Sequence, residues 1–376
     1  MANFAIMGFG TVGSGVAEVL RMNGASIAEK LGERLTLKYI LDVRDLSASP
    51  YASLVVKDFA LLENDPELDV VVESIGGAKV AYEFTRRALL AGKHVVTSNK
   101  ELVAAHGKEL LEIAREKNVN YLFEASVGGG IPVLRPLFQC LAGNQIQEIA
   151  GILNGTTNYV LTRMVEGGVP FDAALREAQE KGYAEANPAA DVEGLDAGRK
   201  ICILADLAWG GEVRPEAIRI QGIGDLSLED VDAARALGYR IKLLGRALAL
   251  EDGRVAAYTA PHLVPEKNPM AGVDGVFNAV MIRGNAVGDV MLYGRGAGDL
   301  PTASAVMGDV LDALAHRERR RSLGWSRDAV LADPESELAM PWYIRGEGPA
   351  RITEAMTARE ARALAGQAAA LLPVLQ

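Results

Sequence analysis

Residues 3–15 read NFAIMGFGTVGSG, and this stretch decides the fold. Its first part is mostly apolar and predicts a short buried β-strand. Glycines follow at positions 8, 10, 13 and 15, where a chain that leaves a strand and enters a helix needs a tight turn and close packing. The order of strand, glycine-rich turn and helix predicts that the chain opens with a βαβ unit.

The segments downstream continue this alternation. Apolar stretches at 35–41, 68–73, 94–98 and 120–126 predict further strands, and the stretches 81–92 and 100–117 predict helices. Such strands alternating with helices are typical of a parallel sheet covered on both faces. From about residue 135 the pattern changes to helices over 156–209 and then to strand-like stretches between 241 and 296. The fold predicted is an α/β domain with a parallel sheet, followed by an α+β domain with an antiparallel or mixed sheet.

Composition excludes several classes of protein. The 376 residues are 49% hydrophobic and 23% charged, which predicts two or three folded domains rather than a disordered chain. A net charge of −10 opposes binding to nucleic acid or anionic lipid. No apolar run reaches the roughly 18 residues that a membrane span needs. The chain has two cysteines and enters a strand at once, so we expect a cytoplasmic protein without a disulfide framework or signal peptide.

The glycine-rich turn carries the first chemical motif. Its GxGxxG pattern follows a predicted strand and opens a predicted helix, which is the context of a Rossmann-type dinucleotide-binding fingerprint. The first glycine permits the turn, the second lets a pyrophosphate approach the backbone, and the helix N-terminus supplies amides to the phosphates. A merely tight turn is the alternative. The candidate cofactor-binding residues here are Gly8, Phe9, Gly10, Thr11, Val12 and Gly13.

The end of the second predicted strand offers two determinants of nucleotide preference. An acidic residue such as Asp42 would hold a ribose hydroxyl of NAD, whereas Arg44 would hold the 2′-phosphate of NADP. We favour Arg44 facing the ribose, which admits NADP. The alternative is an ion pair of Arg44 with Asp42 or Asp45.

Further candidates follow the ends of later strands. Ligands of open α/β sheets bind outside the carboxyl ends of the strands, and Ser74, Gly76, Ser98 and Lys100 fall at such ends. Lys100 can therefore reach a cofactor or substrate. An ordinary solvent-facing start of a helix is the alternative.

An acidic segment precedes one predicted helix in the second domain. Glu185 and Asp191 lie in a loop, and Asp196 and Lys200 are four residues apart on one helix face. An exposed pair at this spacing would merely support the helix. A partly buried pair would instead provide a lysine suited to general acid/base catalysis. Residue patterns alone leave both interpretations open.

Six motifs occur in one order along the chain. They are GFGTVGSGV (8–16), VVTSNKELVA (95–104), FEASVGGGIP (123–132), LNGTTNYVL (153–161), GYAEANPAADVEGLDAGRK (182–200) and YGRGAGDLPTASAVMGD (293–309). Together they resemble homoserine dehydrogenase over roughly residues 3–315. The resemblance implies NAD- or NADP-dependent interconversion of L-homoserine and L-aspartate 4-semialdehyde in threonine, methionine and isoleucine biosynthesis. It also implies a homodimer in which the second domain serves both catalysis and dimerisation.

The resemblance assigns roles to residues by matching motif positions. Lys200 matches the acid/base, Asp196 the carboxylate beside it, and Lys100 the lysine between nicotinamide and substrate. Glu185 matches the residue that holds the substrate's amino group, and Asp191 lies near it. Asn154 to Thr157 match the loop that lines the substrate pocket, with Gly155 and Thr156 as the binding residues. Gly296 to Gly298 match the loop that closes on the cofactor, with Gly298 as its binding residue. A sodium ion would be bound by backbone carbonyls at Glu124, Val127, Gly129 and Ile131.

The expected organisation is a nucleotide-binding domain at 1–135, a catalytic domain at 136–305 and a helix returning to the first domain at 306–320. Residues 321–376 form a tail, interpreted as a remnant of an ACT domain. A non-catalytic dinucleotide-binding regulator of the same fold is the alternative function. Oxidative acylation of the semialdehyde is rejected, because neither Cys140 nor Cys202 lies in a motif that would activate it.

Overall fold

The computed structural model describes residues 1–321, 323–346 and 348–376. The chain divides into two compact units. The first unit comprises Met1–Cys140 and Ala297–Arg327, and the second comprises Leu141–Gly296 and Asp328–Gln376. In the part of the chain that is described, no helix is long and apolar enough to cross a membrane.

A parallel sheet forms the centre of the first unit. Its strands are β1 (Ala2–Met7), β2 (Leu35–Leu41), β3 (Val55–Val56), β4 (Val70–Glu73), β5 (His94–Thr97) and β6 (Tyr121–Leu122). They lie in the order β3-β2-β1-β4-β5-β6, and every pair is parallel. All residues of β1, β4 and β5 are buried. This burial explains why these strands are apolar without alternation.

This unit also contains helices. They are α1 (Thr11–Leu31), α2 (Ala60–Glu63), α3 (Lys79–Leu90), α4 (Lys100–Lys117) and α10 (Asp299–Ala315). The cap of α4 is Asn99, whose side chain accepts a hydrogen bond from the amide of Leu102, satisfying an amide that the helix itself leaves unpaired. The helix expected at 306–320 is α10, which begins at Asp299 and belongs to the first unit.

The second unit has a mixed sheet. Its strands are β7 (Ile146–Ile152), β8 (Gly211–Glu212), β9 (Arg219–Ile220), β10 (Tyr239–Ala249), β11 (Val255–Pro265), β12 (Phe277–Gly284) and β13 (Gly288–Arg295). The main sheet has the order β13-β12-β7-β10-β11-β9, antiparallel except where β9 pairs with β11. The helices are α5 (Gly155–Gly167), α6 (Phe171–Glu180), α7 (Ala189–Val192), α8 (Leu195–Trp209) and α9 (Leu228–Ala236). Helix α8 packs on β10 and β11. The predicted fold class is confirmed.

The C-terminal segment is folded as well. Its elements are β14 (Arg327–Asp328), α11 (Pro334–Glu337), β15 (Trp342–Arg345), β16 (Arg351–Ile352), α12 (Ala358–Ala365) and β17 (Ala370–Pro373). Strands β16, β15 and β17 form a small antiparallel sheet. Trp342 and Ala361 share a buried cluster with Tyr258 of β11. The segment therefore packs against the second unit's own sheet.

Candidate functional site

The glycine-rich turn of the first unit is closely packed on one side and open on the other. Gly8 has a φ of +87°, and a Cβ added there would lie 2.8 Å from the carbonyl oxygen of Ser74. A Cβ on Gly13 would lie 2.1 Å from the carbonyl oxygen of Gly8. Nothing lies within 4 Å of the corresponding position on Gly10. Two of these glycines are thus required by packing, while the third leaves room for a ligand.

The N-terminus of α1 is suited to an anion. Gly10 caps this helix and provides no side chain, so the amides of Thr11 and Val12 lack a side-chain cap. Within the described residues, the first turn of α1 carries no acidic side chain. An open groove of about 410 Å³ adjoins this turn and is lined in part by Phe9, Ser14 and Tyr51. Backbone amides and the helix dipole favour a phosphate at such a terminus.

The two candidate determinants of nucleotide preference contact each other. Arg44 Nη2 lies 2.6 Å from Asp42 Oδ2, and Arg44 Nε lies 3.0 Å from Asp42 Oδ1. The amide of Phe9 also donates to Asp42, over 2.7 Å. The Arg44 guanidinium, which is 55% exposed at the side chain, holds the pKa of the Asp42 carboxyl well below its usual range. The structure thus places Arg44 in the alternative arrangement, an ion pair with Asp42.

The carboxyl end of β4 is tied to the glycine-rich turn. Ser74 Oγ donates to the carbonyl oxygen of Gly8 over 2.7 Å. Gly76 lies in open space, with nothing within 4 Å of an added Cβ. The amide of Ser98 lies 3.4 Å from the carbonyl oxygen of Glu73, and Lys100 is the first residue of α4. The predicted residues at these strand ends therefore lie along one edge of the sheet.

A buried carboxyl group that the sequence analysis missed organises this edge. Glu73 is fully buried, accepts a hydrogen bond from the amide of Ile75 over 2.6 Å and pairs with the hydroxyl of Thr97. Asn99 donates to the carbonyl oxygens of Ile75 and Gly77 over 3.0 and 2.8 Å. Burial raises the pKa of Glu73 to about 7. The sequence signal for this buried carboxyl group was a glutamate at the end of a strand of valines, Val70–Glu73.

The second unit contains a buried lysine–carboxylate pair. Lys200 Nζ lies 2.7 Å from Asp196 Oδ2 and 2.8 Å from the carbonyl oxygen of Leu153. The side chains are 11% and 5% exposed. Of the two interpretations of this spacing, the buried pair is therefore correct. Helix α8 places both residues on one face because they are one turn apart.

Asn154 joins this pair to the start of α5. Its amide nitrogen donates to Asp191 over 2.7 Å and to Asp196 over 2.8 Å. Its amide oxygen accepts from the amide of Thr157 over 2.9 Å and so caps α5. One side chain thereby fixes two carboxylates relative to a helix N-terminus. Sequence spacing could not reveal this bridge, because Asp191 and Asp196 lie 37 and 42 residues after Asn154, beyond helices α5 and α6.

The remaining predicted substrate residues surround the same helix start. Gly155 is the first residue of α5, and a Cβ there would lie 2.8 Å from the carbonyl oxygen of Val276. Thr156 Oγ1 donates to the carbonyl oxygen of Tyr183 over 2.6 Å, which ties α5 to the loop at 181–188. Glu185 lies exposed on that loop. The structure thus gathers Lys200, Asp196, Asp191, Gly155 and Thr156, and it leaves Glu185 at the surface beside them.

The residues predicted to bind a cation share one compact segment of the first unit. Glu124 Oε1 accepts the amides of Val133 and Leu134 over 2.6 and 2.8 Å. Glu124 begins a short 3₁₀ turn, and Val127, Gly129 and Ile131 follow it. Among the described residues there is no group of three or more His, Cys, Asp or Glu side chains suited to a metal. A cation here would depend on backbone oxygens, and this site stays a prediction.

Neither cysteine resembles an activated nucleophile. Cys202 is buried in α8, and burial raises the pKa of its thiol well above the ordinary value. An attacking cysteine needs the opposite shift, towards the thiolate. Cys140 is exposed near the end of the first unit's first segment. The structure therefore gives no support to oxidative acylation.

Comparisons with known proteins show the family of this chain. A family model described as homoserine dehydrogenase matches residues 132–311, and one described as homoserine dehydrogenase, NAD binding domain, matches residues 8–124. A homoserine dehydrogenase of Neisseria gonorrhoeae is 40% identical over 383 residues, covering 98% of this chain and 85% of the relative.

Solved structures give the same result. A homoserine dehydrogenase from Thiobacillus denitrificans has a TM-score of 0.91 at 35% identity and covers 100% of this chain and 98% of that chain. A hyperthermophilic archaeal homoserine dehydrogenase, solved in complex with NADPH, has a TM-score of 0.71 at 28% identity and covers 85% and 99%. The first unit is accordingly an NAD-binding domain of Rossmann type, and the chain belongs to the homoserine dehydrogenase family of NAD(P)-dependent oxidoreductases.

Proposed function

We propose that this chain interconverts L-homoserine and L-aspartate 4-semialdehyde by hydride transfer, with Lys200 as the general acid/base. The observation that carries this proposal is the buried contact of Lys200 Nζ with Asp196 and with the carbonyl oxygen of Leu153. An ammonium group has three donors. Within the described residues these two contacts leave one N–H for a substrate oxygen.

The chemistry follows from that geometry. A bound nicotinamide would supply the hydride acceptor for C4 of homoserine, or in reduced form the hydride donor for the aldehyde carbon. In the oxidative direction, the C4 hydroxyl proton moves to Lys200 or to a water that it orders. In the reductive direction, the Lys200 ammonium protonates the forming alkoxide. Asp196 stabilises the positive charge on Lys200, and burial strengthens this interaction.

Other residues hold the substrate. Glu185 and Asp191 supply carboxylates for the substrate's ammonium group. The backbone amides of Gly155 and Thr156 lie at the N-terminus of α5, where the helix dipole favours the substrate's own carboxylate. Asn154 keeps Asp191 and Asp196 at fixed positions relative to these amides. Orientation of this kind converts binding energy into rate.

The dinucleotide would occupy the glycine-rich turn. Its pyrophosphate would accept from the amides around Gly10 to Gly13, and its nicotinamide end would lie near Ser74, Gly76, Ser98 and Lys100, with Gly298 in the loop that closes over it. We infer that NADP is accepted when Arg44 exchanges Asp42 for the 2′-phosphate. The guanidinium of Arg44 is half-exposed, so it can turn to a phosphate, while the buried Asp42 carboxylate keeps its hydrogen bond from the amide of Phe9.

The proposal extends to features that rest on family membership. These are a sodium ion, a homodimer, a cytoplasmic location, and the domain limits predicted from the sequence (1–135, 136–305, 306–320 and 321–376). The sodium ion would lie on the carbonyl oxygens of Glu124, Val127, Gly129 and Ile131. The alternative function, a non-catalytic dinucleotide-binding regulator, is disfavoured by the buried Lys200–Asp196 pair. Such a regulator has no need of a buried, charged pair that is costly to desolvate.

The test is oxidation of L-homoserine followed at 340 nm with NAD and with NADP. Lys200→Met should lower kcat at least 10²-fold, the usual worth of a general acid/base, while dinucleotide binding measured by fluorescence stays unchanged. Lys181→Met is the matched control, because Lys181 also forms an acid–lysine pair one turn apart, with Glu177, but at the surface. Near-normal turnover in Lys200→Met would reject the assignment, and equal losses in both variants would do the same.

A further inference from the structure

The turn that follows β4 in the first unit is short, exposed and rich in glycine. Residues 74–77 lie outside the strands and helices, and both Gly76 and Gly77 are exposed. Nothing lies within 4 Å of a Cβ added to either glycine, and Gly77 has a φ of +75°. Adjacent glycines give a backbone many conformations of similar energy. This 74–77 turn therefore needs contacts from outside to keep one conformation.

Asn99, at the start of α4, makes such contacts. Its Nδ2 donates to the carbonyl oxygens of Ile75 and Gly77 over 3.0 and 2.8 Å. Its Oδ1 accepts the amide of Leu102 over 3.1 Å. Because the oxygen faces α4, both N–H donors of the carboxamide face the turn. One side chain therefore ties the carbonyl groups of the 74–77 turn to the first turn of a helix.

The backbone amides of this turn are left for a ligand. The amide of Ile75 donates to Glu73, whereas among the described residues the amides of Gly76 and Gly77 have no partner within the protein. Exposed amides are strong donors that pair with water or with the oxygen atoms of a ligand. With its carbonyl groups held by Asn99, the turn offers donors and little else at this edge of the sheet.

The strand order indicates which half of a dinucleotide would meet this turn. Strand β1 lies between β2 and β4, and the glycine-rich turn after β1 would hold the pyrophosphate. Asp42 and Arg44 follow β2, on the side of the adenosine ribose. The 74–77 turn follows β4 on the opposite side, so the nicotinamide half would meet it.

We propose that Asn99 is a positioning residue for the nicotinamide half of the dinucleotide. By holding the carbonyl groups of Ile75 and Gly77, it keeps the amides of Gly76 and Gly77 in one orientation before the cofactor binds. A turn ordered in advance loses less conformational entropy on binding, which strengthens affinity. This inference rests on the proposed function, which places the nicotinamide at this edge of the sheet. It gives Asn99 a role beyond capping α4.

Asn99→Ser separates positioning from capping. Serine caps a helix about as well as asparagine, but its side chain is too short to reach both carbonyl groups. The urea midpoint of unfolding should therefore stay at the wild-type value. The Kd for NAD or NADP, whichever binds the wild type more tightly, should rise about three- to tenfold, the worth of one or two hydrogen bonds. Titration calorimetry measures this Kd without turnover.

The adenosine half of the cofactor provides the decisive comparison. ADP, or 2′-phospho-ADP where NADP is the tighter ligand, lacks the nicotinamide half, so its Kd should be the same in Asn99→Ser and the wild type. Equal weakening of the dinucleotide and of its adenosine half would show a merely structural role and overturn the proposal. An unchanged dinucleotide Kd would overturn it as well.

Two further variants complete the test. If Asn99→Ser does not fold, Asn99→Asp keeps the acceptor for Leu102 and loses the donors, so it should show the same selective loss. Asn268→Ser is the matched control, because Asn268 caps the 3₁₀ helix Pro269–Gly272 in the second unit, and it should change neither Kd. Binding needs no homoserine, so a wild type that binds the dinucleotide without oxidising homoserine would reject the proposed function and leave the result for Asn99 standing.

Discussion

Replacement of Glu73 by Gln should change the pH dependence of stability. Glu73 is fully buried at the end of β4, and burial raises its pKa from 4.5 to about 7. Glutamine keeps the shape and the acceptor for the amide of Ile75, but it cannot ionise. The variant therefore isolates the free energy that the folded protein spends on ionising this carboxyl group.

The magnitude follows from the pKa. The change from 4.5 to about 7 corresponds to about 3 kcal/mol between the two protonation states. Below pH 4.5 the carboxyl is protonated in both the folded and the unfolded chain, so the variant and the wild type should be about equally stable. As the pH rises towards 7, the unfolded chain releases its proton first, and the wild type loses stability. Above pH 7 the variant should be the more stable by up to about 3 kcal/mol.

Urea unfolding at pH 5 and at pH 8 measures this difference. Tryptophan fluorescence suits the assay, because Trp325 belongs to the same unit as Glu73. Asp309 is also buried in that unit, and its pKa is likewise raised to about 7, but its contribution cancels between the variant and the wild type if the two sites are independent. If the variant and the wild type differ in free energy of unfolding by the same amount at pH 5 and at pH 8, the assignment to Glu73 is refuted. It is refuted as well if the advantage of the variant over the wild type is smaller at pH 8 than at pH 5.

Further predictions concern the turn, the cofactor and the α5 cap. Gly13→Ala should lower the free energy of unfolding by about 1–3 kcal/mol, because its Cβ would lie 2.1 Å from the carbonyl oxygen of Gly8. Gly10→Ala should instead leave the urea midpoint of unfolding unchanged and weaken dinucleotide binding. Equal unfolding midpoints for the two variants would contradict this prediction. Arg44→Ala should lower kcat/KM for NADP about tenfold, a usual cost of removing a charge-assisted hydrogen bond, and spare NAD; an unchanged NADP-to-NAD ratio would be inconsistent with 2′-phosphate binding. Asn154→Ala should cost about 1 kcal/mol of stability through loss of the α5 cap and also lower kcat, and a fully retained kcat would separate this cap from catalysis.

Sequence patterns predicted the elements whose causes are local. The turn at 8–13 follows from glycine sterics, and the buried strands β1 and β4 follow from uninterrupted apolar residues. The spacing of Asp196 and Lys200 placed both on one face of α8, although only the structure shows that the pair is buried.

The rest depends on contacts distant in sequence. The Glu73 network joins two strands and the cap of α4, and Asn154 at the start of α5 contacts Asp191 and Asp196. The choice of Arg44 between Asp42 and a cofactor phosphate depends on a rotamer, which composition does not determine. The strands at 342–373 are short, and their pattern was too weak to predict the small sheet that packs on β11.

The central claim is hydride transfer from C4 of L-homoserine to the nicotinamide. The most direct test uses L-homoserine carrying two deuterium atoms at C4, with NADP or NAD as acceptor and NMR of the reduced cofactor. Hydride transfer predicts one deuterium at C4 of the nicotinamide ring for each aldehyde formed, and loss of this transfer in Lys200→Met. A reduced cofactor without deuterium, or no reduction of either dinucleotide by the wild-type protein, would contradict it.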